Sequence, residues 1–342
     1  MINQLGVGLF GLVALFAGDT QHQQKLTRFD FDERHMGTTF RIAMYAPNKA
    51  VAQKAAKAAF AKVATLDNIM SDYKPSSELR QLSKKAVGTP VKVSKELFTI
   101  LAKAQALSRE TNGAFDATIK PVVVLWYRAR RTRELPTKKE LQDALANVDW
   151  KKLELDPKGQ TVKLLLMEML LDLGGIAKGF AADAALAILR QFGIPRAYVA
   201  GGGDFAVGAP PPNKKGWKIG IAPLYDPEAK PKHYLSLKNA AVSTSGDVSK
   251  FVVINNKRYS HIVDPRTGLG LVGRTSVTVI APNATTTDSY ATAVCVMGPK
   301  KGLRFIEKTP HAAAYIVRED ENGKLQTYYS KRFSKYELKD GK

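Results

Sequence analysis

Ser260-His261-Ile262-Val263-Asp264-Pro265-Arg266-Thr267-Gly268 sets one of five histidines just ahead of an Asp-Pro corner. Arg258 to Val263 reads as a strand end, Pro265 presets a turn and Gly268 completes it. An imidazole placed there is either an exposed loop side chain or a proton acceptor at the lip of a site. A second stretch, Leu170 to Leu189, runs as an apolar strand into Asp172, then Gly174 and Gly175, then a helix carrying Lys178 in its first turn. Glycines at such a junction leave backbone N–H groups facing an anion, and the helix start adds favourable potential. Lysine in a first turn opposes the helix dipole. A bound phosphate or a carboxylate would relieve that conflict; a lysine snorkelling at a tight junction is the plainer reading.

Between Thr285 and Gly298, Asp288 and Thr292 lie four residues apart, on one helix face near its start. A carboxylate and a hydroxyl so placed are hard oxygen donors that suit Mg²⁺, although aspartate near a helix start is also common for dipole reasons. Gly113-Ala114-Phe115-Asp116 lies between a helix end and an apolar strand, and Tyr73 sits on another turn. Aromatics in such turns either bracket a planar ring system or pack and cap the turns. Tyr198 to Gly208 carries three consecutive glycines, but no helix follows and GxGxxG is missing. That context rejects a dinucleotide-binding motif and leaves a glycine turn with close backbone approach.

The elements that must position these residues follow from periodicity and stop signals. Thr38 to Tyr45 alternates as a strand, and Lys49 to Asp67 has helical spacing. Ser94 caps a helix that Asn112-Gly113 stops, and Thr137 with Glu140 forms a capping box. Two short strands flank Pro157-Lys158-Gly159. A helix from about Ile176 to Phe192 ends at Gly193 and Pro195. Strands follow at Ala197–Ala200, Trp217–Ala222, Tyr234–Leu237, Phe251–Ile254 and Thr275–Ile280, then helices at Thr285–Met297 and Lys300–Thr309. This order predicts an α+β fold, helix-rich over about residues 46–193 and strand-rich over about 194–335. No internal repeat is visible.

The 342 residues can bury a large core. Lysine and arginine number 52 against 31 acidic residues, a net charge of +21. Such a surface attracts anions of many kinds. Apart from the run Arg128 to Arg133 the basic residues are dispersed, which argues for a solvated surface and against a nucleic-acid stripe. The single cysteine, Cys295, excludes an internal disulfide and reads as a buried helix residue. Leu5 to Ala17 is apolar, too short for an ordinary membrane span and the right size for a secretory core segment. Residues 1–18 are therefore expected to be a signal or anchor, and 19–34 a polar tether. No cysteine follows the apolar run, so a lipid anchor through an N-terminal cysteine is excluded.

In this order, Met36-Gly37-Thr38, "MSDYKPSSEL", "GAFDATIKPVVVLW", "LDLGGIAKGFAAD", "GGGDFAVG", "AVSTSGD", "SHIVDPRTG" and "TTTDSYATAVCVMG" resemble the FAD:protein FMN transferases, the ApbE family. The likeness covers about residues 35–330. It implies an ApbE-like fold of mixed sheets and helices, with a flavin site in a cleft between the helix-rich and strand-rich parts. It implies a Mg²⁺-dependent enzyme that cleaves the diphosphate of FAD, its substrate, and attaches FMN to a Ser or Thr hydroxyl of an acceptor protein, releasing AMP. By likeness, Met36, Tyr73, Ala114, Phe115, Asp116, Asp172 and Lys178 match positions that hold the flavin nucleotide, with Ile262 beside it. Gly175 (by its carbonyl), Asp288 and Thr292 match the magnesium site, and His261 the general base. The implied acceptor is a subunit of a membrane redox complex, met by an exported bacterial protein in the periplasm or at the periplasmic side of the inner membrane. Rival readings are an FAD pyrophosphatase giving FMN and AMP, and a non-catalytic exported flavin-binding protein. The basic run "RARRTREL" departs from the family pattern and suits an acidic partner.

Overall fold

The computed structural model describes residues 25–225, 229–231, 233–247, 250–320 and 322–338. The expected signal segment, and the first part of the tether, lie outside the described residues. In chain order the strands and helices are β1 (Thr27–His35), β2 (Thr38–Ala46), α1 (Lys49–Met70), α2 (Glu78–Lys85), β3 (Val91–Lys92), α3 (Lys95–Glu110), α4 (Lys120–Thr132) and α5 (Lys138–Leu145). Next come β4 (Leu153–Asp156), β5 (Thr161–Leu164), α6 (Ala177–Gln191), β6 (Ala197–Gly201), β7 (Asp204–Val207), β8 (Trp217–Ile221) and β9 (His233–Leu237). The chain closes with β10 (Ala240–Gly246), β11 (Phe251–Ile254), β12 (Lys257–Val263), β13 (Gly270–Val272), β14 (Thr275–Ala281), α7 (Ala284–Lys308), β15 (Ala313–Glu319) and β16 (Leu325–Tyr329).

An eight-stranded sheet in the order β1-β2-β6-β7-β10-β14-β15-β16 forms the centre, every neighbouring pair antiparallel. Alternation along β2 sends Phe40, Ile42 and Met44 into the large core on one face and Ala43 into a smaller core on the other. On the first face lie α1 and α6, whose facing alanines (Ala52, Ala55, Ala56 and Ala59 on one, Ala181, Ala182 and Ala185 on the other) share that core. On the second, the β8–β9 hairpin seats Trp217, Ile219, Leu235 and Leu237.

Beside α6 runs α7, and Gly179 sets how closely. A Cβ there would fall 2.1 Å from the Ala284 carbonyl oxygen, so only glycine lets the two backbones meet. The start of α7 is tied to α6 as well: Asp183 accepts from the N–H groups of Ala284 and Thr285 at 2.8 Å each and from the Thr285 hydroxyl at 2.6 Å. Within α7, Gly298 adopts φ 73°, and Pro299 follows. That break separates the two helices expected from sequence, one on each side of Gly298 and Pro299. Cys295 is 6% exposed on this helix, and burial pushes its thiol pKa up.

Three local expectations change. Thr27 to Arg34, read as tether, belong to β1, where half-buried Phe29 and Phe31 pack on the large core between charged residues. The apolar run after Lys120 is the helix α4, not a strand. Pro121 opens it, and Val122, Trp126 and Ala129 fall on one buried stripe spaced four and three apart, which outweighs the β preference of three valines. The residues before Asp172 form no strand of their own; Leu170 makes an isolated bridge to Ile119.

Candidate active site

The junction before α6 is built by Asp172. Its N–H donates to the Ala117 carbonyl at 2.7 Å, and its carboxylate accepts from the Gly174 N–H at 2.8 Å. Its second oxygen lies 3.7 Å from Lys120 Nζ, and Lys120, itself buried, also pairs with Asp72. Burial, reinforced by the Asp72 charge and opposed by Lys120, raises the pKa of Asp172.

One turn on, Lys178 resolves the conflict that sequence analysis found. Nζ donates to the Gly174 carbonyl at 3.1 Å and lies 3.1 Å from Asp204 Oδ2 and 3.4 Å from Asp288 Oδ2. Carboxylates relieve the lysine at the helix start. Burial opposes its charge, but the two aspartates outweigh that and raise its pKa. Asp204 was missed by sequence reasoning, which saw only the glycine turn around it. Its single signal was an acidic residue directly after three glycines. It is 2% exposed, and burial together with Asp288 raises its pKa. Asp204 Oδ2, 3.1 Å from Lys178 Nζ, is buried and makes no hydrogen bond, which leaves it acceptor capacity for a further partner.

Asp288, also 2% exposed, accepts from the Gly179 N–H at 3.0 Å. Thr292 follows a turn later, its Oγ1 3.4 Å from Ser245 Oγ. A Cβ on Gly175 would lie 3.1 Å from Thr292 Oγ1 and 3.2 Å from a ring carbon of Phe115, so these three converge. Among the described residues no cluster of three or more His, Cys, Asp or Glu side chains could hold a metal. A cation here would rest on a mixed oxygen set: Asp288, Thr292, the Gly175 carbonyl and the unused Asp204 oxygen. These are hard donors of the kind Mg²⁺ takes, and few enough to leave room for phosphate oxygens.

His261 lies on β12. Its backbone N–H and its Nδ1 are each 3.0 Å from the Lys250 carbonyl oxygen. A carbonyl only accepts, so Nδ1 carries the hydrogen and Nε2 keeps its lone pair. Burial first, then the Lys250 charge, lowers the imidazole pKa to about 4; Arg130 and Lys178 add to the fall, and the carbonyl bond opposes it. The Asp-Pro corner is rigid: the Gly268 N–H donates to the Asp264 carbonyl at 2.9 Å, Asp264 binds Arg266, and Trp126 Nε1 donates to the Gly268 carbonyl at 2.8 Å. The histidine is a held imidazole with Nε2 left bare and not a free loop residue.

Other residues singled out from sequence divide. Ala114 and Ile262 share one buried cluster. Asp116 is buried with its oxygens spent on Thr118 at 2.8 and 2.7 Å and on the Trp150 N–H at 3.2 Å, so it shapes the turn holding Phe115. Burial raises its pKa against those bonds. Tyr73 is 73% exposed and meets Tyr127 hydroxyl to hydroxyl at 2.7 Å. Met36 forms the β1–β2 turn with Gly37, both at positive φ, and packs against the large core.

The ApbE family model matches residues 36–316. The chain belongs to the ApbE family. A FAD:protein FMN transferase of Haemophilus influenzae is 31% identical over 84% of this chain and 86% of its own length. Another, from Treponema pallidum, is 28% identical over 92% and 91%. Among solved structures, the flavin transferase ApbE from Vibrio cholerae superposes with a TM-score of 0.81 at 28% identity, covering 91% of this chain and 100% of that one. The ApbE protein from Thermotoga maritima gives 0.80 at 30% identity, covering 92% and 100%. The fold is therefore the ApbE α+β fold, as the sequence motifs implied.

Proposed function

We propose that this chain is a FAD:protein FMN transferase acting on a Ser or Thr hydroxyl of an acceptor protein. The observation that carries the reading is the bare Nε2 of His261, fixed by the Lys250 carbonyl in the same chain as the Lys178–Asp204–Asp288 cluster. The names of the ApbE relatives support it. The acceptor hydroxyl is a poor nucleophile until its proton moves to Nε2. Its oxygen then bonds to the flavin-side phosphorus as the phosphoanhydride P–O bond breaks, and AMP leaves with that bonding pair. Asp288, Thr292, the Gly175 carbonyl and Asp204 would hold Mg²⁺. Bound there, Mg²⁺ supplies a Lewis acid against diphosphate oxygens. The Gly175 N–H and the start of α6 orient the diphosphate.

Two further parts of the reading rest on sequence. The Leu5 to Ala17 run supports export to the periplasmic side of a membrane, and the family resemblance of the sequence motifs supports a membrane redox subunit as acceptor. Incubation with FAD, Mg²⁺ and a candidate acceptor, followed by intact-mass measurement, tests the function. The expected result is an added FMN, absent with His261→Ala. FMN accumulating at full rate without any acceptor would make the enzyme a hydrolase instead.

A further inference from the structure

Lys178 is not free to face the substrate's diphosphate by itself, because two carboxylates and the Gly174 carbonyl already engage it. Two other cations lie near enough to the base for their charges to lower its pKa. The backbone of Lys250 stands directly across from His261, its carbonyl taking both N–H groups at 3.0 Å. Arg130 comes from α4, which packs against β11 and β12, and holds its guanidinium 4.9 Å from the Tyr127 ring centre. Tyr127 in turn meets the exposed Tyr73. Neither Lys250 nor Arg130 pairs with a carboxylate among the described residues, unlike Lys178, Arg258 and Arg266. Burial, with Lys178 and Arg130 nearby, lowers the pKa of Lys250. Cations gathered without counter-charges are unfavourable until an anion joins them.

In-line displacement puts the attacking hydroxyl and the leaving group on opposite sides of phosphorus. Cations beside the base therefore lie nearest the phosphate being transferred and farther from the adenylate phosphate. We infer that Lys250 and Arg130 clamp the flavin-side phosphate of FAD and make the site selective for a phosphorylated flavin. The inference rests on the transferase reading for its choice of phosphate.

The test titrates the full-length protein, without divalent cation, with FMN and riboflavin by flavin fluorescence, and with AMP and adenosine by calorimetry. Wild type is expected to prefer FMN to riboflavin. The double variant Lys250→Gln, Arg130→Gln should lose about tenfold or more in FMN affinity, the scale of one charge-assisted hydrogen bond. Riboflavin and AMP affinities should stay unchanged, and Lys250→Arg should retain FMN binding. Unchanged FMN affinity overturns the clamp, as does an equal loss for riboflavin, which would mean the residues only shape the pocket. A loss confined to AMP moves the clamp to the leaving group and overturns it too. AMP release from FAD by wild type is scored separately: a protein that binds FMN through these residues yet never releases AMP keeps the clamp and loses the transferase reading.

Discussion

Before substrate arrives His261 is a weak base, and its pH behaviour follows from burial among cations. Its folded pKa near 4 lies below the ordinary 6.5. Protonation would inactivate it, so kcat/KM for the free enzyme should stay flat through neutral pH and fall only as pH drops through about 4. An anionic diphosphate beside the ring favours the protonated form, so the break in kcat should lie higher than the break in kcat/KM; coincident breaks would contradict this. The same shift acts on stability. Between about 4 and 6.5 the unfolded chain binds a proton that the folded chain refuses, so this contribution is fully present above 6.5 and is lost as pH falls towards 4. At the proposed cation site, Asp288→Asn should raise the Mg²⁺ concentration for half-maximal turnover by about tenfold or more. Unchanged Mg²⁺ dependence in that variant would remove Asp288 from the cation site.

At the scale of elements, the site depends on how α6 and α7 lie together. Gly179→Ala forces a methyl into the Ala284 carbonyl and should cost about 1–3 kcal/mol in urea unfolding. Because the Gly179 N–H also binds Asp288, turnover should drop more than the lost stability alone accounts for. The elements also show what was legible in the chain. Capping residues declared themselves: Ser94 accepts from the Leu97 N–H, and the Thr137–Glu140 box is present in full. The Asp288–Thr292 pair was visible because helical spacing is local. Asp204 was not, since its meaning comes from Lys178 and Asp288, 26 and 84 residues away along the chain and joined only by the packing of β7 under α6 and α7. Lys250 stayed hidden for the same reason, and Arg130 was visible only as part of the basic run Arg128 to Arg133. The helix α4 was misread because a β-branched run carries a strand preference that only the stripe of Trp126 and Ala129 against β11 and β12 overrides.

Over the whole molecule the +21 charge is the largest field acting on anything that approaches. A dinucleotide substrate is drawn toward it, as an acidic acceptor would be, and salt shortens its reach to about 10 Å at 0.1 M. The kcat/KM for FAD should therefore decline steadily with ionic strength while kcat changes little, which initial rates between low and moderate salt would show. No described helix is long and apolar enough to cross a membrane.

The lone thiol has a practical use. Cys295 is enclosed in α7 and kept un-ionised by burial, which makes it slow towards alkylating reagents. A cysteine introduced at Val253, 45% exposed on β11 in the hairpin that carries the base, would then be the sole fast-reacting sulfur on the surface. A photoactivatable maleimide attached there could capture the polypeptide that docks for modification, turning the hunt for the unknown recipient into a proteomic pull-down.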